Sequence, residues 1–162
     1  MAIVDTHCHV GVDKYEPVES LLFHMEQAGV EKAVLIQHMG NTDNSYHVEC
    51  LRRYPHRFKS AMIVEETDNG NGIWQWADQG ITGIRLPANS RAQDADPLAQ
   101  WRAAAELRLV VSARGCPSTF LGAEFQEVLQ LFPELQIVME HLCGFGRAQT
   151  PPAQELEAMH KL

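Results

Sequence analysis

Six short apolar runs punctuate the chain: Ile3–Val4, Ala33–Ile36, Ser60–Val64, Gly83–Leu86, Leu109–Val111 and Gln136–Met139. β-branched residues dominate most of them, which predicts strands. The runs are continuous, not alternating, as expected of parallel strands covered on both faces. Between them the apolar spacing changes to three and four. Pro17 to Ala28 places Val18, Leu21, Leu22 and Met25 on one face, with Gly29 as the stop. Ser45 to Tyr54, Gly72 to Gln79 and Gly122 to Phe132 read the same way, Asp96-Pro97 opens a helix as N-cap and N1, and a last helix begins at Pro151. Trp74, Trp76 and Trp101 are expected to anchor helices on the sheet.

Strand starts fall near residues 3, 33, 60, 83, 109 and 136, a βα repeat of 23 to 30 residues. Such alternation means parallel strands joined by right-handed crossovers. Two α/β architectures compete. An open doubly wound sheet is complete with six units, whereas a (β/α)8 barrel needs eight strands and roughly 200 to 250 residues. Length favours the first. The absence of a GxGxxG or phosphate loop after strand 1 removes support from its nucleotide-binding versions.

The strand ends tip the balance. His7 and His9 follow strand 1, Gln37-His38 strand 2, Glu65-Glu66 strand 3, Arg85 strand 4, Ser112 and Arg114 strand 5, and Glu140-His141 strand 6. In a barrel such ends converge on one mouth, where the chemistry of that fold sits. Residues two apart on a strand share a face, so His7 and His9 aim two imidazoles at one point, as metal ligation requires. The same alternation points Cys8 away, and Glu140 away from whatever His141 faces.

These segments resemble the amidohydrolase superfamily, in its amidohydrolase-related branch. Val4-Asp5-Thr6-His7-Cys8-His9 is similar to the VDxHxH opening, and Gly80-Ile81-Thr82-Gly83-Ile84-Arg85-Leu86 to the fourth-strand GxxGIRL segment. Phe132 through Gly144 is similar to the sixth-strand segment that carries a histidine, here His141. The branch includes L-fuconolactonase-like and 2-pyrone-4,6-dicarboxylate lactonase-like hydrolases and some decarboxylases. The resemblance implies a distorted (β/α)8 TIM-type barrel of which about six of eight units are present, as a single partial domain over 1–162. It implies His7, His9 and His141 as ligands of one divalent metal, zinc first, or as water and carboxylate contacts in a metal-free lactonase-like site. Arg85, with His38 and Arg114, would bind a small anionic or lactone substrate. Strand 5 ends in Ser112-Ala113-Arg114, without the histidine many members carry there, which favours the lactonase side. The catalytic aspartate of the eighth strand has no counterpart, so the catalytic residue is unknown and the chain reads as a truncated frame or fragment of weak activity. The alternatives are a non-catalytic pseudo-hydrolase and an unrelated doubly wound binding domain. For Arg85 the plain alternative is a structural salt bridge, and for His38 a solvated loop.

Composition trims the partners. A chain of 162 residues with net charge −8 and no basic patch gives no support for nucleic-acid binding. No apolar run approaches the ~18 residues of a membrane span, and a cytoplasmic location is the default expectation. Cys8, Cys50, Cys116 and Cys143 form no CxxC pair and read as free thiols. His24, His47, His56 and His160 read as surface residues. An incomplete barrel would leave sheet edges open to self-association.

Overall fold

A computed structural model describes residues 2–144 and 153–162. Six parallel strands form one sheet: β1 (Ile3–Cys8), β2 (Val30–Ile36), β3 (Phe58–Met62), β4 (Gly83–Pro87), β5 (Val110–Arg114) and β6 (Ile137–Met139). The helices between them are α1 (Val18–Ala28), α2 (Ser45–Arg53), α3 (Asn71–Asp78), α4 (Ala99–Glu106), the short α5 (Pro117–Phe120) and α6 (Ala123–Leu131), and α7 (Ala153–Met159) closes the chain.

Strand order decides the architecture. Each strand pairs with the next, β1 through β6, and every pair is parallel. A doubly wound sheet reverses its order at a switch point and so receives helices on both faces. This sheet never reverses, and right-handed crossovers then put all helices on one face. The other face curls inward as the wall of an incomplete (β/α)8 barrel. Alternation along the strands separates the two sides. Leu35, Ile84 and Val111 point outward and are fully buried under the helices. Val34, Ile36, Val110, Ser112 and Val138 point inward and line a cavity of about 440 Å³. Among the described residues β1 and β6 are the two edges of the sheet, and they expose Ile3, Val4, Val138 and Met139.

The outer core is assembled from the helical stripes expected. Val18 and Met25 of α1 pack with Cys8, Leu35 and Phe58, and Gly29 ends that helix in the left-handed region (φ 68°). Trp101, Phe120, Phe125 and Val128 fill the second cluster, where Trp101 Nε1 donates to the Ser90 carbonyl at 3.0 Å. Three expectations need correction. Trp74 is exposed, because Ile73, Trp76 and Ala77 form the packed face of α3 and Trp74 lies off it. The helix opened by Asp96 begins at Ala99, since Asp96 first caps a preceding turn by accepting from the Leu98 N–H at 3.0 Å. His47 is buried rather than a surface residue, because it lies on the inner side of α2 with Nδ1 2.8 Å from the Ser60 hydroxyl. The start expected at Pro151 lies outside the described residues. Among the described residues no helix is long and apolar enough to cross a membrane.

Candidate active site

The mouth of the barrel is built from strand ends whose facing is set by register. Arg85 on β4 lies beside Ser112 on β5, and Ser112 lies beside Val138 on β6. Val138 faces the lumen, so Glu140, two residues on, faces it as well. The expectation that Glu140 turns away is therefore wrong. Its side chain is 1% exposed and sits at the centre of the site. Arg85 donates from Nε to Oε1 at 2.8 Å and from Nη2 to Oε2 at 2.7 Å, a bidentate pair. Ser112 Oγ donates to Oε1 at 2.7 Å. The remaining Arg85 nitrogen, Nη1, donates to the Gln37 carbonyl at 3.0 Å. Burial pushes the Glu140 carboxyl upward, but its bonds from Arg85 and Ser112 outweigh that and hold it below the usual carboxylate range.

His141 would point outward if β6 simply continued. It does not continue. His141, Leu142 and Cys143 all adopt left-handed backbone (φ 52°, 50° and 58°), and Gly144 follows at 75°. Each non-glycine residue there costs roughly 1–2 kcal/mol, and such strain gathers at functional sites. The turn swings the His141 ring to 4.8 Å from that of His7, centroid to centroid, with Nε2 3.7 Å from Glu140 Oε2.

β1 needs a comparable device. Asp5 pairs with Ala33 and Cys8 with Leu35, so three steps on β1 match two on β2. This bulge lets Thr6 line the lumen and still turns His7 toward it, while Cys8 enters the outer core. The His7 N–H is held by Asp5 Oδ1 at 3.0 Å. The His9 ring stands edge-on to His7 at 5.0 Å, and His9 Nδ1–H donates to the Ile36 carbonyl at 2.7 Å. That bond fixes the tautomer and leaves the Nε2 lone pair free.

His7 Nε2 is buried and has no hydrogen-bond partner among the described residues. Burial, reinforced by the other imidazoles and Arg85 and opposed by Glu140, lowers the His7 pKa. Burial does the same at His9, against the pull of the Ile36 carbonyl. Both imidazoles are thus neutral near pH 7 and able to offer a lone pair. Donor atoms of His7, Glu140 and His141 all lie within 4.8 Å of one another. Two imidazoles and a carboxylate are a donor set suited to a divalent ion.

The sequence-predicted residues divide accordingly. His7 and His141 come together. His9 stands next to His7, and Glu140 occupies the third place in the compact donor group. Arg85 is 8% exposed and its fork is committed to Glu140 and Gln37, the salt-bridge alternative left open by the sequence. Arg114 ends β5 half-buried, two residues beyond lumen-facing Ser112, and makes no ion pair among the described residues. His38 lies half-buried at the rim, 5.5 Å from the Tyr15 ring. Sequence reasoning missed Tyr15, which stacks on His9 at 4.7 Å and 23°, and no motif marks it. Glu140 faces the lumen because Ser112 pairs with Val138, a register between strands that the structure alone supplies.

With this geometry in hand, likeness to known proteins is informative. The sequence model of the family described as Amidohydrolase matches residues 4–162. This chain belongs to the amidohydrolase family. No curated protein matches it. Among solved structures, a probable 2-pyrone-4,6-dicarboxylic acid hydrolase of Acinetobacter baumannii, with citric acid bound, superposes with a TM-score of 0.66 at 21% identity, covering 99% of this chain and 79% of that one. A Pseudomonas putida protein provisionally named for the same activity gives 0.66 at 21%, covering 85% and 56%. The 5-carboxyvanillate decarboxylase of Sphingomonas paucimobilis gives 0.61 at 11%, covering 85% and 67%. At these identities the likeness establishes the fold. The amidohydrolase chain thus spans 56% to 79% of the three structures' lengths, and a hydrolase and a decarboxylase share its barrel.

Proposed function

We propose that this amidohydrolase-family site serves hydrolysis of a lactone or similar small carboxylic ester. The observation that carries the reading is the buried, unpartnered Nε2 of neutral His7, facing a donor group shared with Glu140 and His141. In the reaction water adds to the ester carbonyl, the C–O bond to the alcohol oxygen breaks, and that oxygen takes a proton to give a hydroxy acid. A divalent ion, zinc first, would be held by His7, His141 and Glu140, with His9 beside them; when bound it polarises a carbonyl and lowers the pKa of water toward ~7. Arg85 and Ser112 hold the Glu140 carboxylate in place and keep it ionised. His9, with Nδ1 anchored on Ile36, keeps Nε2 available as an acceptor beside His7. Arg114 and His38 remain at the mouth to meet an anionic group on the substrate. None of the six strand ends provides the aspartate that would shuttle the proton, so slow turnover is expected of these six strands alone.

The commitment of Glu140 to Arg85 supports a metal-free variant, in which His7, His9 and His141 contact substrate and water directly. One experiment separates the two. Zinc is titrated into the chelator-treated protein by calorimetry, and a panel of aromatic and sugar lactones is assayed with and without zinc. The metal reading expects one ion per chain, lost in His7→Ala, with lactone hydrolysis rising on loading. Hydrolysis that is indifferent to zinc supports the metal-free site. No hydrolysis of any lactone, with or without zinc, and no effect of His7→Ala or His141→Ala on ligand binding would sink the proposal.

A further inference from the structure

The loop between β1 and α1 places an aromatic ring against the second histidine of the HxH pair. Tyr15 lies nearly parallel to His9, with ring centroids 4.7 Å apart and planes 23° apart. It also meets His38, with ring centroids 5.5 Å apart. The loop that carries it is tied at both ends. Val10 is buried where the loop leaves β1. The Gly11 N–H donates to the Glu16 carbonyl at 3.1 Å and draws the loop closed. The Val18 N–H then donates to Tyr46 Oη at 2.9 Å, which fixes the start of α1. Tyr15 is thus delivered to His9 by a closed and anchored loop.

His9 is held from three directions. The carbonyl of Ile36 accepts from Nδ1 and forbids a half-turn of the ring. His7 meets it edge to face at 87°. A swing of the whole ring toward Tyr15 is blocked by the stacked face of that residue. Offset-stacked aromatic pairs favour this parallel arrangement. We propose that Tyr15 is a positioning residue that acts through His9 and holds its ring beside His7 at the mouth of the site. The contact is a property of the ring and not of the hydroxyl, so phenylalanine satisfies it and alanine or leucine does not. Where the consequence is read as metal affinity, the inference rests on the metal reading of the site.

The test uses the full chain and two independent readouts. Nuclear magnetic resonance of the imidazole C–H and ring nitrogen signals reports stacking and tautomer at His9 without any ligand. The expected result is an upfield ring-current shift on His9 in the native protein and in Tyr15→Phe, lost in Tyr15→Ala and Tyr15→Leu. Amide spectra of the strands identify any variant that fails to fold, and Tyr15→Phe then carries the comparison through retention of the shift. Zinc titration is the second readout, with a loss of roughly 3- to 10-fold in affinity expected for Tyr15→Ala and none for Tyr15→Phe. Unchanged His9 signals in folded Tyr15→Ala overturn the proposal. So does a Tyr15→Phe that behaves like Tyr15→Ala. If the native protein takes up no zinc, the metal reading fails while the His9 signals still decide the role of Tyr15.

Discussion

The ion pair between Arg85 and Glu140 is the support on which the site stands, and breaking it is the sharpest test of the geometry. The two side chains are 7% and 1% exposed. Glu140 accepts three short bonds, two from Arg85 and one from Ser112. Arg85→Met strips two of the three and leaves a carboxylate buried with only Ser112. Glu140→Leu leaves a guanidinium with only the Gln37 carbonyl. Either change abandons a buried charge, at a cost of about 3–5 kcal/mol. For a domain of this size that is a fall in Tm of roughly 6–20 °C. Replacing both partners removes both charges together, and such double replacements are often near neutral. The double variant is therefore expected to be less destabilised than the sum of the singles by about 2 kcal/mol or more. Urea and thermal unfolding followed by circular dichroism supply all four corners of the cycle. The folded Glu140 carboxyl titrates below its usual range, so its contribution is complete above the ordinary carboxylate pKa and is lost as pH falls through the depressed value. The gap between native protein and Glu140→Gln should narrow in acid accordingly. Single variants costing less than about 1 kcal/mol, or an additive cycle, would refute the reasoning, because a buried bidentate pair at these distances cannot be silent.

Four other outcomes are expected. Burial, with His9 and His38 nearby, brings the His47 pKa from 6.5 down to about 4, so only the unfolded chain takes up this proton between those values; stability should fall by roughly 3 kcal/mol as pH drops across that window, and His47→Gln should remove that slope from the unfolding curves. The hydroxyls of Ser118 and Thr119 hold the exposed Cys116 thiol down to about 7, whereas burial pushes Cys8 up to about 12 and Cys50 to about 11; a thiol reagent should label one cysteine quickly with a midpoint near pH 7, and Cys116→Ser should abolish that phase. A Cβ at Gly83 would lie 2.9 Å from the Val110 carbonyl oxygen and 3.2 Å from Ala61 Cβ, so Gly83→Ala should destabilise by about 1–3 kcal/mol in denaturant titration, and a neutral result would show that β3, β4 and β5 are less tightly set. The exposed edges β1 and β6 should drive concentration-dependent self-association in sedimentation experiments, weakened by Val138→Lys; a monomer at all concentrations would count against edge pairing.

What the sequence made legible is the part that depends on local chemistry. Runs such as Ala33–Ile36 and Leu109–Val111 are β-branched and bounded by helical stripes, so strand number and parallel pairing followed from composition and period. The glycine stop at Gly29 was readable because the chain takes a left-handed turn there. The facing of side chains at the mouth was not readable, because facing is a relation between strands. Alternation taken from His141 misplaces Glu140, because three left-handed positions carry His141 off the strand. Counted from Ser112 through Val138, the same rule places Glu140 inside. On β1 the register shifts between Asp5 and Cys8, a span that contains His7, and no sequence signal marks it.

The two devices have one physical consequence. A regular strand can aim only alternate residues at a lumen, so an unbroken β1 would offer either Thr6 or His7, and an unbroken β6 either Glu140 or His141. The lumen receives both members of each pair: the bulge brings in His7 beside Thr6, and the left-handed turn brings in His141 beside Glu140. Donor density at this mouth therefore comes from breaking strand regularity at the two edges of the sheet, while β4 and β5, which remain regular, contribute Arg85 and Ser112 as the rigid support of Glu140. The irregular edges carry the imidazoles, and the regular strands carry the groups that hold Glu140. It follows that straightening either edge should remove imidazoles from the mouth without disturbing the Arg85–Glu140 pair.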